Sequence, residues 1–483
     1  MKNLNLVLDP WIKIRFHERV SILDFFNLDD STELDGLPPE RFVVFRLLLA
    51  ILQAACVDAD TDLDELEELN IVNMKERAKK YLMEHKDEFW LYGYKNKSPF
   101  LQYNKVVSGD KKSFSVGDLV MGVCTGNATL LYESNRKRDI CIEDEVYVLL
   151  LQTILAFSGK KPDSNIVLAE KYTKKKSSPA SPTLGRSFLH TLPQGKTVFH
   201  TLKLNLVTEA EIIDKNRSGI GTPPWVKKPE TEIGEEAEKY ARSYMGRLLP
   251  LSRFVHLTND GRIHITSGIS YPALKDTGIG DISVSVRKIK DGAYTAVRAE
   301  TQRRPWRQLS AVLAFSDTDK SIGCAIVKKR CNSDDYKGIL CFGINLSEQA
   351  GEQYFSGTDG FVEEKFVLHP KMIENGFLNK YTNNLNKIDK ISKCLYAAVK
   401  GYYDDINAKD IGKKKCDTAV IEFWQRCDTL GEKFVAACET GNADEYIRKF
   451  IDFAKNAYSN NCPKQGARNL MAFIAHRPNI NLL

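Results

Sequence analysis

The sequence predicts an α+β protein: a large mixed N-terminal domain over residues 1–370, followed by a C-terminal antiparallel four-helix bundle over residues 371–483. Three observations predict it. A chain of 483 residues exceeds what one ordinary core organises. Before Pro370, short apolar runs with strand-like alternation are interleaved with apolar helical runs and turn residues. After Pro370 the period changes, and Leu385, Ile388, Ile391, Leu395, Val399 and Tyr402 recur every three or four residues.

In chain order, Asn3 to Phe16 reads as two short strands about a turn at Asp9-Pro10. Pro38 and Pro39 open a helix, since proline suits a first helical turn. Its residues Phe42 to Leu52 are apolar nearly all round, which predicts a central position in the core. Asp58 to Glu68 is dense in carboxylates but lacks EF-hand spacing, so a solvated linker and helix start is favoured over a metal site. Met74 to Phe89 reads as an amphipathic helix and Val146 to Phe157 as a buried one. Thr191 to Val207 is expected to be strand-rich, and Thr222-Pro223-Pro224-Trp225 a rigid turn displaying an indole. Arg262 to Thr266 alternates as a half-exposed strand would, and Val284 to Val297 as a hairpin turning near Asp291-Gly292. Trp306, Leu309, Val312 and Phe315 fit a helix. Ile339 to Phe342 and Glu363 to Leu368 read as strands joined by a polar, glycine-containing loop. In the bundle, Val420 to Cys438 repeats the helical period, Asn442 with Glu445 suggests a capping box, and Leu470 to Ile474 forms a shorter last helix.

Charge and cysteine bound the function. The net charge is +6, yet Gly159 to Arg186 alone carries seven cations against Asp163 and Glu170. Pro162, Pro179 and Pro182 block regular ladders there, so the stretch reads as a basic loop suited to a polyanion, or as a solvated surface loop. The eleven cysteines form no CxxC pair, which argues against a disulfide framework or zinc knuckle and for reduced thiols in the cytoplasm. No signal peptide or membrane-spanning run is expected from the N-terminus or from Phe42 to Val57.

The residues LVLDPWIKIRF, SPFLQ, GVCTGNATLLYES, HTLPQGKTVFHTLKLNLV, TPPWVKKP, RRPWRQLSAV and ILCFGINLSEQA occur in one order over most of residues 1–370. In these the chain resembles the CasA family, the large subunit of the type I-E CRISPR complex Cascade. That resemblance implies a non-catalytic subunit that recognises the protospacer-adjacent motif (PAM) in double-stranded target DNA and wedges the duplex open to start an R-loop. It implies as partners the crRNA, the backbone, crRNA-end cap and small subunits, and a helicase-nuclease recruited after R-loop formation, with no membrane and no cofactor. The family's wedge glutamine falls on Gln349, but its asparagine neighbour is replaced by Glu348 or Ser347. Its minor-groove lysine falls on Arg262, and arginine suits a narrow, electronegative groove. Its glycine loop falls near Lys174, Lys175, Lys176 and Ser177, where phosphate attraction by lysine would replace close backbone approach. Its guide-RNA-end docking aromatic falls on Tyr132, with Ser134 nearby. The family's cysteine cluster before the Arg262 strand is absent, so no zinc is expected.

The rival class is an enzyme. No HExxH, GxSxG or GxxxxGK[ST] is present. His190 with His200, or His256 with His264, could serve as acid and base of a metal-independent nuclease; histidines spaced along strands are more often structural.

Overall fold

The protein is described from a computed structural model, over residues 3–109, 113–120, 139–155, 166–170, 188–214, 216–269, 271, 281–288, 294–300, 303–313, 321–322, 324–345, 360–373 and 375–480. The chain divides into two compact units, one formed by residues 1–301 with 317–364, the other by residues 302–316 with 365–483. The architecture is the α+β one expected, small antiparallel sheets with helices and then a helical C-terminal region.

The first unit is built about α1 (Pro38–Cys56), which begins on two prolines and buries residues on every side. Glu40 accepts a hydrogen bond from the Leu37 amide at 2.9 Å, satisfying a donor that the helix start leaves open. Two polar residues interrupt α1, and both are satisfied. Gln53 exchanges two hydrogen bonds with the Val207 backbone, at 2.7 and 3.1 Å, as a neighbouring strand would. The Arg46 guanidinium donates to the carbonyls of Leu248 (3.0 Å) and Arg247 (2.6 Å) and to Asp281 (2.7 Å). Next to α1, α2 (Ile71–His85) is capped by Asn70 and turns Met74, Ala78 and Leu82 inward at a spacing of four. Helix α3 (Ile142–Leu150) starts earlier than its apolar run and ends in a π-turn at Leu151–Leu155.

Three small sheets complete this unit. One has the order β1-β4-β3, with β1 (Phe114–Ser115), β3 (Arg253–Thr258) and β4 (Arg262–Ser267). Another has the order β2-β8-β9, with β2 (His190–Gly195), β8 (Tyr336–Asn345) and β9 (Gly360–Val367). The third joins β6 (Tyr294–Ala296), β5 (Val286–Lys288) and β7 (Ser321–Ile322). The β5–β6 pairing carries the expected hairpin, whose turn lies outside the described residues.

Several sequence expectations change. Asn3 to Phe16 forms isolated bridges, Asn5 to Trp90, Ile12 to Val20 and Ile14 to Leu34, rather than two strands. Asn5 turns the chain by accepting from the Val7 amide and donating to the Lys86 carbonyl, so the backbone bonds go to distant partners instead of to a ladder. Only the first part of Thr191 to Val207 is strand. Thr197 accepts from the His200 amide and starts α4 (Val198–Leu204), a local cap that outweighs β-propensity. Beyond Arg262, β4 is buried on both faces as well as paired along both edges as the central strand of its sheet. The Trp225 indole is not displayed; it lies against Phe89 (5.3 Å) and donates to the Tyr81 hydroxyl at 2.9 Å. Gln102 of SPFLQ is fully buried, donating to Leu91 and accepting from Leu257 of β3, which ties that loop to the sheet.

From Asn375 on, the described second unit runs through five helices: α5 (Asn375–Asp405), α6 (Lys409–Asp428), α7 (Gly431–Thr440), α8 (Ala443–Asn461) and α9 (Ala467–Ala475). Helix α6 returns antiparallel to α5, placing Trp424 on Ser392 (3.1 Å) and Cys416 on Tyr396. The expected helix from Val420 to Cys438 is divided at Thr429-Leu430, where Trp306 is seated. The Trp306 indole donates to Asp428 at 2.8 Å, its carbonyl accepts from the Tyr381 hydroxyl, and its ring meets Phe434 edge-on at 5.7 Å. Burial raises the Asp428 carboxyl above its ordinary range, against the pull of Trp306 and Arg307. Asn442 precedes α8 without a side-chain cap, bonding Thr440 instead.

Gly431 is the residue that admits Trp306. A Cβ there would fall 2.6 Å from the Trp306 ring. Gly431→Ala should therefore lower the stability of this unit by about 1–3 kcal/mol in thermal unfolding of the full chain. A variant that unfolds like the parent would show that Trp306 does not depend on that gap.

Candidate nucleic-acid interface

Of the residues that sequence reading placed on nucleic acid, Arg262 is the one the described structure contains. The β3–β4 hairpin turns at Asn259-Asp260-Gly261, with Gly261 at φ +75, a conformation glycine adopts without strain. Arg262 then opens β4, opposite Thr258 on one side and Ser115 of β1 on the other. Its Nε donates to Ser113 Oγ at 2.7 Å and its Nη2 to the Ser113 carbonyl at 2.9 Å. The side chain is half-buried and held along the approach to β1. The neighbouring Asp260 carboxyl is lowered below its ordinary range, first by the Thr258 hydroxyl and further by Arg262.

Lys174, Lys175, Lys176 and Ser177 lie outside the described residues, but both roots of their segment are described. On the N-terminal side, the Thr266 hydroxyl of β4 donates to the Ile166 carbonyl at 2.7 Å, and the buried Glu232 accepts from the amides of Leu168 (2.8 Å) and Ala169 (2.9 Å). The segment thus starts from the strand that carries Arg262. On the C-terminal side, Phe188 bridges Arg298 and leads into β2.

Ser347, Glu348 and Gln349 also lie outside the described residues, between β8 and β9. Strand β2 is antiparallel to β8, with His190 opposite Phe342. The start of β2 is therefore one strand spacing, about 5 Å, from Phe342, three residues before the end of β8. Segments 171–187 and 346–359 are rooted at the same end of the same sheet. Tyr132 and Ser134 lie in 121–138, likewise outside; that segment follows the turn Val116–Leu119, directly after β1. The structure joins one root of the lysine segment to the Arg262 strand and the other to β2 beside the root of the Gln349 segment, and describes the tips of none.

The histidines have separate partners. His190 is buried; its Nδ1 lies 2.8 Å from Ser283 Oγ, and Ser283 in turn donates to Asp281 at 2.7 Å. Burial pulls the His190 pKa down to about 3. Burial pushes the Asp281 carboxyl up, but Arg46, His190 and the Ser283 hydrogen bonds together hold it well below its ordinary range. His200 Nδ1 lies 2.7 Å from the Thr197 hydroxyl, and its Nε2 is 3.7 Å from Asp335. His256 and His264 are cross-strand partners with rings 6.1 Å apart. The Ser108 amide donates to His264 Nδ1 at 3.0 Å, which fixes the neutral ring as the Nε2–H tautomer. Burial lowers the His256 pKa, opposed by the Val106 carbonyl. Among the described residues no hydrogen bond joins His190 to His200, and no three metal-ligating side chains converge. No helix of the described residues is long and apolar enough to cross a membrane.

Sequence reading missed the Arg46–Asp281–Ser283–His190 chain, Ser113 and Glu232. Arg46 gave a signal, as a charge inside an apolar helix; a buried charge needs a partner.

A family model described as CRISPR-associated protein Cse1 matches residues 5–459. Among solved structures, Thermobifida fusca Cse1 is similar at 17% identity and TM-score 0.76, covering 98% of this chain and 97% of that one. Thermus thermophilus CasA (Cse1) is similar at 17% identity and TM-score 0.74, covering 98% and 97%. A chain in a structure titled CRISPR RNA-guided surveillance complex matches at 16% identity and TM-score 0.71, covering 98% and 99%. Comparison with curated proteins gives no match.

His190 makes a pH prediction. Its pKa is depressed relative to about 6.5 when unfolded, so its contribution to stability is complete above that value and is lost as pH falls toward 3. The expected slope is at most about 1.4 kcal/mol per pH unit. Denaturant unfolding between pH 6 and pH 4 should show a shallower slope for His190→Asn than for the parent. Parallel slopes would show that the ring titrates normally.

Proposed function

The chain belongs to the Cse1 family, and from that membership we propose that it is the large, non-catalytic subunit of a CRISPR RNA-guided surveillance complex, acting in the cytoplasm. In this reading it inspects the PAM in double-stranded target DNA, opens the first base pair, and hands the target strand to the crRNA. The other subunits of the complex and a helicase-nuclease recruited after R-loop formation are its partners.

The observation that carries the reading is the common rooting of the proposed contacts. Thr266 of the Arg262 strand holds the root of the lysine segment, and that segment ends beside the root of the Gln349 segment. The roots of the lysine segment are thereby tied to the Arg262 strand at one end and to β2, beside β8, at the other. Arg262 reads the minor groove, whose degenerate code gives a permissive check before unwinding. Lys174, Lys175 and Lys176 attract backbone phosphates, with Ser177 beside them. Gln349 occupies the vacated stack, and Glu348 or Ser347 beside it alters PAM preference, since a carboxylate is unfavourable next to phosphate. Tyr132 and Ser134 dock the guide-RNA end. The rival nuclease loses support because His190 is sealed in the core and each histidine serves a structural partner.

Gel shifts with the assembled complex test the reading, comparing PAM-bearing with PAM-less duplex. Arg262→Ala should lose about 1–3 kcal/mol of PAM discrimination. An equal loss on both duplexes would reduce Arg262 to a phosphate contact. Replacing Lys174, Lys175 and Lys176 by alanine should flatten the salt dependence by up to about three counterions. An unchanged salt slope would favour a solvated loop.

Gln349→Ala should leave initial duplex binding nearly intact and slow R-loop formation on a paired target. The barrier lies in the first step, about 1.4 kcal/mol of stacking, before guide pairing offsets it. A target with a pre-opened bubble beside the PAM should restore the rate. Failure of the bubble to rescue would move the wedge to Gln353.

A further inference from the structure

An open cavity of about 120 Å³ lies between the turn Thr222 to Pro229 and the helix Glu235–Ala241, and none of the residues placed on nucleic acid above lines it. Three lysines line it, Lys227, Lys228 and Lys239, against one carboxylate. That carboxylate, Glu236, is already 2.7 Å from Lys227, and both are exposed. Lys228 is different. Its ammonium donates to the Gln102 carbonyl and lies 4.7 Å from the centre of the Tyr103 ring, and among the described residues it has no carboxylate partner. Burial lowers its pKa to about 8, with no opposing charge to offset it.

A desolvated ammonium with one neutral acceptor is costly, and the cost falls when an anion sits beside it. The position is also held rigidly. The Val226 and Lys227 amides both donate to the Pro223 carbonyl at 3.0 Å, and the Tyr103 hydroxyl donates to the Pro229 carbonyl at 2.9 Å. Trp225, packed in the core, anchors the turn between them. Gly221, at φ +79, lies against Ser243; a Cβ there would fall 2.5 Å from the serine and crowd the wall of the cavity. Lys228, without a carboxylate partner among the described residues, and the exposed Lys227 and Lys239 beside it offer the charge-assisted donors that bind a small tetrahedral oxyanion.

We infer that this cavity is a binding site for one phosphate group, with Lys228 as the inner contact and Lys227 and Lys239 at the mouth. The phosphate is either free or part of a nucleic-acid strand lying across the opening. The site does not depend on Arg262 or on PAM reading.

Calorimetric titration of the full chain in phosphate-free buffer, with inorganic phosphate and separately with a short oligodeoxynucleotide, tests the site. Lys228→Met keeps the apolar stem and should weaken binding about tenfold, the value of one charge-assisted hydrogen bond. Lys239→Gln should weaken it less. Glu236→Gln should tighten it, by freeing Lys227 and removing the one carboxylate. Saturable binding of inorganic phosphate with this pattern marks a free-anion site. Oligonucleotide binding that phosphate displaces and that needs Lys228 marks a strand phosphate. Either supports the site. No saturable binding of either ligand, or affinity unchanged in both lysine variants, overturns it. Should Lys228→Met fail to fold, Lys239→Gln decides, because that side chain is exposed and its loss leaves the core intact.

Discussion

The first unit depends on one buried charge. Arg46 stands in the middle of a helix whose core-facing residues are mostly apolar, where an unpaired guanidinium would be prohibitive. It is accommodated because three acceptors from distant parts of the chain converge on it: the Arg247 and Leu248 carbonyls at the end of the helix Tyr244–Leu248, and Asp281. Those carbonyls are ones a helix end cannot satisfy internally. Asp281 passes the constraint on through Ser283 to His190, the first residue of β2. One arginine therefore fixes the central helix, a second helix end and the strand beside which the lysine and glutamine segments are rooted. Replacing the chain by apolar groups could preserve stability, but it would remove the directional bonds that set where β2 begins.

Much of the fold was legible because local signals agreed with long-range packing. Two prolines and an all-round apolar run give α1, a spacing of four gives α2, and spacings of three and four give α5. The expectations that changed share one physical origin. Around Asn3 to Phe16 the alternating pattern is real, but side-chain bonds from Asn5 and the Trp11 indole take the place of a continuous ladder. At Thr197 a single cap turns a β-like composition into a helix. The break between α6 and α7 has no local cause visible in sequence. It follows from Trp306, whose bond to Asp428 spans 122 positions.

For the candidate site, the sequence offered proposed identities but not their arrangement. The resemblance pointed to Arg262, Gln349, the lysine triplet and Tyr132 as a set, but no single-sequence signal says that Ser113 holds the Arg262 guanidinium or that Glu232 clamps the lysine segment's root. Both partners are common polar residues in unremarkable contexts. Their roles exist only once β1, β4 and residues 166–170 are side by side. Lys228 was equally hidden: it sits in a motif quoted for its family likeness, and its lack of a counter-charge appears only when Gln102 and Tyr103 close over it.

At 16–17% identity the architecture persists over nearly the whole chain, so very different side chains build the same sheets and helices. A scaffold that tolerates this divergence can hold strand ends in place while the segments between them change chemistry. The lysine segment illustrates the consequence for the proposed function. A glycine loop acts by letting backbone amides approach phosphate closely, a short-range contact that demands one geometry. A lysine triplet acts by charge at several ångströms, tolerates variation in position and weakens with salt. In the proposed reading, a lysine triplet in place of a glycine loop would move affinity from geometry to electrostatics. In that reading, selectivity would rest more heavily on the side chain whose position is structurally fixed. That side chain is Arg262, held by two bonds to Ser113 in the central strand of its sheet.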